Sequence, residues 1–100
     1  MNADDFKKLS AATQRKYKII AAIAFSNSPT MKDIIKATGI PEPTVKRQLS
    51  LIRSDFNMDV RFVTEKNTVG RGGHYHIYSW GMLNRSEFVL EYQQLLTNDE

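Results

Sequence analysis

The apolar residues follow helical spacing in the first part of the chain and a strand-like pattern after residue 57. The first helical pattern runs from Ser10 to Phe25, and Ser10 is a suitable N-cap residue. Residues 27–29 then interrupt the pattern. A second helix is predicted to begin at Thr30, because Asp33 follows three positions later as in a capping box.

A glycine and two prolines separate this second helix from a third. Gly39 tolerates the left-handed backbone that is common after a helix end, so the second helix is predicted to stop near Thr38. Pro41 and Pro43 suit the first turn of a helix but not its interior, which predicts a third helix over residues 42–56. One face of that helix is polar and basic, and the opposite face is a narrow apolar stripe. The stripe consists of Val45, Leu49, Ile52 and Phe56.

Residues 60–65 and 74–80 are rich in β-branched and aromatic side chains, which predicts two strands. The eight residues 66–73 between them contain three glycines and two cations. This arrangement is typical of a β-hairpin with a long basic loop.

A last helix is predicted over residues 85–96, where Asn84 is a suitable N-cap and Phe88, Tyr92 and Leu95 fall at helical spacing. This is more apolar surface than a three-helix domain needs to complete its core. We therefore expect these three side chains to form the seam of a homodimer. The alternative is a helix folded back on the first helix of its own chain.

The composition limits the chemistry that the chain can support. One hundred residues fit one domain, and the absence of cysteine excludes disulfides and thiolate metal sites. His74 and His76 are the only histidines, so we expect no metal and no cofactor. No catalytic motif is recognisable, so an enzyme is not expected. No apolar run approaches the ~20 residues that cross a bilayer, which favours a soluble, cytoplasmic protein.

The charges are segregated along the chain, although the net charge is only +3. Residues 1–57 contain ten Lys and Arg against five Asp and Glu, whereas residues 83–100 contain one against four. A basic body with an acidic tail suits a polyanionic partner at one surface. On composition alone, ordinary solvated charge is an equally good interpretation.

Two helices joined by a short glycine-containing turn, the second basic on its outer face, are typical of a helix-turn-helix. Residues 33–52 resemble that motif in bacterial winged-helix transcription regulators: a small residue, Gly, an aliphatic residue, Thr-Val, Arg, Leu and an aliphatic residue follow in the family's order. Residues 70–77 are similar to the tip and return strand of the wing. With the first helix, the resemblance covers about residues 10–80.

The resemblance implies an α+β winged helix-turn-helix fold. Its parts are a three-helix core, a two-stranded β-hairpin wing and an additional C-terminal helix, in a single domain over residues 1–100. It also implies binding to double-stranded DNA, with helix 42–56 in the major groove and loop 66–73 on the backbone or in the minor groove.

The residues that the resemblance places against DNA are Thr44, Lys46, Arg47, Gln48, Ser50 and Arg53 on the third helix, and Lys66 and Arg71 in the loop. Arg47 is the leading candidate for base recognition, because a guanidinium pairs with both acceptors of guanine. The family usually has small hydroxyl residues where this chain has Pro41, Glu42 and Pro43. Glu42 would repel a phosphate there unless it caps the helix or reads a cytosine amino group.

A small transcription regulator is the leading interpretation, and two others stay open. The domain could be an adaptor that binds proteins, or a DNA-binding protein of replication or of a mobile element, since a fold does not fix a function. For the basic residues themselves, a solvated helix face and a solvated hairpin tip are the plain alternatives.

Overall fold

The computed structural model describes residues 1–64 and 72–97, which form five helices and one two-stranded sheet. The elements in order are α1 (Ala3–Lys7), α2 (Ala11–Ala24), α3 (Met31–Thr38), α4 (Glu42–Asp55), β1 (Asp59–Thr64), β2 (Gly73–Ser79) and α5 (Arg85–Thr97). The predicted α+β winged-helix architecture is confirmed. No helix in this described part is long and apolar enough to cross a bilayer.

Helix α1 is the one element that the sequence pattern does not predict. Its five residues are too few for a periodicity, although Asn2 caps it by accepting a hydrogen bond from the backbone of Asp5 at 2.8 Å. The ring of Phe6 packs edge-on against Tyr92 with 6.2 Å between centroids. Helix α1 is therefore held by the C-terminal helix.

The predicted starts of α2 and α3 are confirmed by their capping bonds. The Ser10 hydroxyl accepts from the backbone of Thr13 at 3.1 Å, at the start of α2. Thr30 and Asp33 form a complete capping box at the start of α3, with reciprocal bonds of 3.2 and 2.9 Å. Gly39 ends α3 in the left-handed conformation, with φ of 73°. Each cap satisfies backbone N–H or C=O groups that a helix end leaves unpaired.

Helix α2 lies at the centre of the core and packs against α3, α4, α5 and β2. Ile19 and Ile20 of α2 are fully buried, as is Ile34 of α3. Three residues of the predicted α4 stripe are confirmed as buried, since Val45, Leu49 and Ile52 are 0–2% exposed. The fourth, Phe56, is the C-cap residue and is only partly buried. The polar face of α4 therefore points away from α2 and the core.

Both edges of the antiparallel sheet are tied to the helical core. On the β2 edge, the Tyr75 N–H donates to the Pro29 carbonyl at 2.9 Å. On the β1 edge, the Arg53 Nε donates to the Val60 carbonyl at 2.8 Å. These bonds fix the hairpin against the α2–α3 connection on one side and against α4 on the other. They also occupy edge groups that would otherwise be open to pairing with another chain.

A tight corner joins β2 to α5 and closes the C-terminal end of α4. Gly81 has φ of 55°, and the next residue, Met82, donates its N–H to the Phe56 carbonyl at 2.7 Å. A Cβ at position 81 would lie 2.2 Å from the carbonyl oxygen of Asn57. Only glycine fits this corner without displacing the backbone.

Helix α5 is folded back on its own chain. Phe88, Tyr92 and Leu95 are only 8–9% exposed. The Phe88 ring meets Tyr17 of α2 edge-on at 5.4 Å and stacks on Tyr92 at 5.6 Å. The prediction that these three side chains form a homodimer seam is corrected: α1, α2 and the β2–α5 corner cover them within one chain.

Candidate nucleic-acid interface

The turn between α3 and α4 is held by one threonine. The Thr38 hydroxyl donates to the Ile34 carbonyl at 2.8 Å and accepts from the Ile40 N–H at 3.1 Å. Ile40 itself is buried. The side chain at the end of α3 therefore sets the direction in which α4 leaves the turn.

The outer face of α4 carries the predicted contact residues at its centre. Lys46, Arg47 and Ser50 are exposed, and Thr44 is half-buried at the start of the helix. Within residues 1–64 and 72–97, the guanidinium of Arg47 makes neither an ion pair nor a hydrogen bond. All five of its N–H donors are available to a ligand.

The acidic residue at the start of α4 is neutralised within its own helix. The Glu42 carboxylate forms an ion pair with the Lys46 ammonium, four positions later, at 3.0 Å. Both side chains stay more than half exposed, so the pair adds little stability. Pro41 is the N-cap and offers no side-chain hydrogen bond to the first turn. The start of α4 is therefore left without a side-chain cap.

A cleft of about 450 Å³ opens beside this uncapped start. Its walls include Thr44 and Arg47 of α4 and Arg15 of α2. Arg15 is exposed and has no ionic or hydrogen-bond partner in the described part of the chain. Two arginines without a partner in the described part of the chain therefore line one cleft. Sequence reasoning missed Arg15, because the periodicity of α2 does not reveal which of its exposed sides adjoins α4.

Gln48 lies in the interior and not on the outer face. It is 3% exposed, and its Oε1 is buried without a hydrogen-bond partner. At about 100° per residue, Gln48 stands only about 40° from Ile52 of the buried stripe. It lines the cleft beside the start of α4 from this buried position. The predicted contact between Gln48 and DNA therefore does not fit the position of its side chain.

Arg53 is held by the wing. Because its Nε donates to the Val60 carbonyl, the guanidinium is fixed beside β1. Its terminal nitrogens form no hydrogen bond or ion pair with other described residues. Arg53 thus joins α4 to the hairpin, and only its outer edge is available to a phosphate.

The last turn of α4 is also connected to α2. Lys16 is 6% exposed, and its ammonium lies 4.0 Å from the carboxylate of Asp55. Asp55 is half exposed. Asp55 places a negative charge beside the buried Lys16 ammonium, which would be costly to bury without a counter-charge.

The predicted contacts Lys66 and Arg71 lie outside the described residues. In the described part of the hairpin, Arg61 is engaged by its own strand, with two bonds to the Asp59 carboxylate at 2.8 and 2.9 Å. These bonds raise the pKa of the Arg61 guanidinium. The group also lies 5.3 Å from the centroid of the Tyr78 ring. Arg61 is therefore paired within the sheet, whereas Arg15 and Arg47 are not paired in the described part of the chain.

The described side chains include no group of three His, Cys, Asp or Glu residues placed to hold a metal ion.

A helix-turn-helix followed by a hairpin, with an exposed cationic side on the second helix, defines a winged helix-turn-helix domain. The family model for the winged helix-turn-helix matches residues 8–98, so the chain belongs to this family. Membership implies DNA binding, and such domains are typically not enzymes.

One solved structure shares the fold over most of both chains. It is the crystal structure of a DUF2131 family protein from Shewanella amazonensis SB2B, with a TM-score of 0.69 and 21% sequence identity. The alignment covers 86% of this chain and 89% of that one. At this identity the similarity concerns the fold alone. A search of curated proteins finds no match.

Proposed function

We propose that this chain recognises a specific sequence of double-stranded DNA and acts as a transcription regulator. The observation that carries the proposal is the pair of unpaired arginines, Arg15 and Arg47, at the uncapped start of α4. Nearby acids do not oppose them, since Glu42 is paired with Lys46. An anionic backbone is the ligand that such a surface attracts.

In the proposed complex, α4 enters the major groove with Arg47 towards the base edges. Thr44, Lys46 and Ser50 contact bases or the adjacent phosphates, and Arg15 reaches the backbone from α2. Arg53 holds β1 and adds at most a phosphate contact. Lys66 and Arg71 in loop 66–73 remain proposed contacts to the backbone or the minor groove.

Selection from a randomised duplex library tests sequence recognition. We expect one motif to be enriched, and its preference to change at a single position with Arg47→Ala, because one bidentate contact reads one base pair. Lys7→Ala, which removes an exposed cation from α1, is the matched control and should leave the motif unchanged. A symmetric motif would indicate two bound copies, and an asymmetric motif a single copy.

The adaptor alternative predicts a different outcome of the same selection. No motif would be enriched, and the weak binding that remained would be lost by ~200 mM salt, as expected for contacts to phosphate alone. The regulatory role has its own test, which is mapping of the bound sites in cells. Sites concentrated beside promoters would support regulation, and sites confined to a replication origin or a mobile element would contradict it.

A further inference from the structure

A separate cleft of about 350 Å³ lies between the α2–α3 connection and the outer edge of β2. This volume is within the range of sites that enclose small ligands, about 300–1,000 Å³. Its lining includes Ser26, Asn27, Pro29, Ile77, Trp80 and Arg85. None of these residues is among the proposed DNA contacts.

The backbone of β2 offers an unpaired donor and acceptor to this cleft. Because the Tyr75 N–H points away from β1 to Pro29, and the Val60 carbonyl points away from β2 to Arg53, the Phe62–Tyr75 and Val60–Ile77 pairs are of the non-hydrogen-bonded kind. The N–H and C=O of Ile77 therefore point towards the cleft. In the described part of the chain, no group outside the sheet bonds to them.

The side walls of the cleft combine an aromatic surface with an unpaired cation. The Trp80 ring is half-buried and packs at 5.5 Å from Phe88, so its position is fixed. Arg85 is exposed at the first turn of α5 and has no ion pair or hydrogen bond to any residue that the structure describes. Ser26 and Asn27 add polar side chains on the opposite wall.

The form of the cleft selects a compact ligand. Pro29 already stands beside Tyr75 at the position that a third strand would take, so an added peptide strand cannot continue along β2. The free space of the cleft adjoins Ile77, Trp80 and Arg85. A planar molecule fits against an aromatic wall, and an acidic group suits an unpaired guanidinium.

We propose that this cleft binds a small aromatic anion, with its acidic group at Arg85, its ring against Trp80 and an oxygen accepting from the Ile77 N–H. The ligand would bridge the α2–α3 connection and β2, which the backbone hydrogen bond from Tyr75 to Pro29 also joins. It would thus fix the wing relative to the helix-turn-helix. The proposal does not depend on the DNA contacts and is tested without DNA.

Trp80 is the single tryptophan of the chain, so its fluorescence reports on the cleft directly. Phenyl phosphate and benzoate are suitable anionic probes, and phenol is their neutral counterpart. We expect a saturable change in Trp80 emission with at least one of the anions, and binding about tenfold weaker for phenol, because a charge-assisted bond is lost. Arg85→Gln should weaken the binding of the anion about tenfold. Lys7→Gln, which removes an exposed cation that lines neither this cleft nor the one beside α4, should have no effect.

Three results would overturn the proposal. These are the absence of a saturable change with both anions, unchanged binding to Arg85→Gln, and equal binding of inorganic phosphate and phenyl phosphate, which would exclude the ring contact. Amide hydrogen exchange on the unmutated protein gives an independent measurement. Saturating anion should slow the exchange of the Ile77 amide, and an unchanged rate would count equally against the site.

Discussion

The two ends of helix α4 differ in how their polar groups are satisfied. At the C-terminal end, Asp55 pairs with Lys16 and the Phe56 carbonyl accepts from Met82. In the N-terminal half, Pro41 supplies no side-chain cap, the guanidinium of Arg47 is unpaired, and Gln48 Oε1 has no donor within the described structure. One end is anchored to the fold, and the other is left open.

The difference separates stability from function along a single helix. An exposed guanidinium without a partner adds no interaction that stabilises the fold, and a buried amide oxygen without a donor costs free energy. The exposed guanidinium suits a ligand that arrives later and completes its interactions. The anchored end supplies the rigidity that the proposed base recognition requires, because a displaced helix cannot keep its register in the groove.

The largest expected effect is on the anchored end. Gly81→Ala should lower the free energy of unfolding by about 3 kcal/mol, because a side chain is strained at φ of 55° and its Cβ meets the Asn57 carbonyl oxygen. Urea unfolding measures the change. Gly39→Ala is the matched control, since it has the same strain but no atom within 4 Å of the added Cβ. It should cost only about 1 kcal/mol, and equal losses for the two variants would contradict the packing at the corner.

A smaller effect of opposite sign is expected at the open end. Gln48→Leu should raise the free energy of unfolding by about 1 kcal/mol, because it removes a buried oxygen that has no donor and keeps a similar volume. Affinity for DNA should stay within about twofold, since the side chain does not reach the outer face. Loss of DNA binding without a gain in stability would return Gln48 to the contact surface.

The smallest effect concerns the start of α3, which is closed by a capping box where the start of α4 is not. Bonds from Thr30 hold the pKa of the Asp33 carboxyl below its ordinary value of 3.8. Since the folded pKa is depressed, the carboxylate stabilises the fold above the unfolded pKa, and this stabilisation is lost as the pH falls through the folded value. Asp33→Asn should therefore flatten the acid side of the stability curve below about pH 4. The free energy of unfolding of both proteins, measured from neutral pH to below about pH 4, checks this prediction. If the free energy fell equally with pH in both proteins, the prediction would be wrong.

Local signals in the sequence were sufficient to predict most of the fold. The cap residues Ser10, Thr30 and Gly39 each act within one turn, and the α4 stripe follows from helix periodicity alone. Helix α1 was not predictable, because five residues are too short for a pattern. The prediction that Phe88, Tyr92 and Leu95 form a dimer seam was wrong for a related reason. Apolar spacing on α5 shows that a face is buried but not which surface buries it.

The candidate site was predictable only where one helix determined it. The exposure of Arg47 follows from its position opposite Val45. The burial of Gln48, the use of Arg53 by β1 and the proximity of Arg15 to the cleft all depend on how separate elements pack together. Such contacts leave no signature in the spacing of residues along a single helix.

The most direct test of the open and anchored ends measures affinity and stability together for two arginines of α4. With the duplex obtained by selection, Arg47→Ala should weaken binding by about 10- to 100-fold while unfolding changes by no more than ~0.5 kcal/mol. Arg53→Ala should lower stability by about 1 kcal/mol, through loss of the bond to Val60, and weaken binding less. If Arg47→Ala instead bound the duplex as tightly as the unmutated protein, the start of α4 would not be the DNA-binding surface.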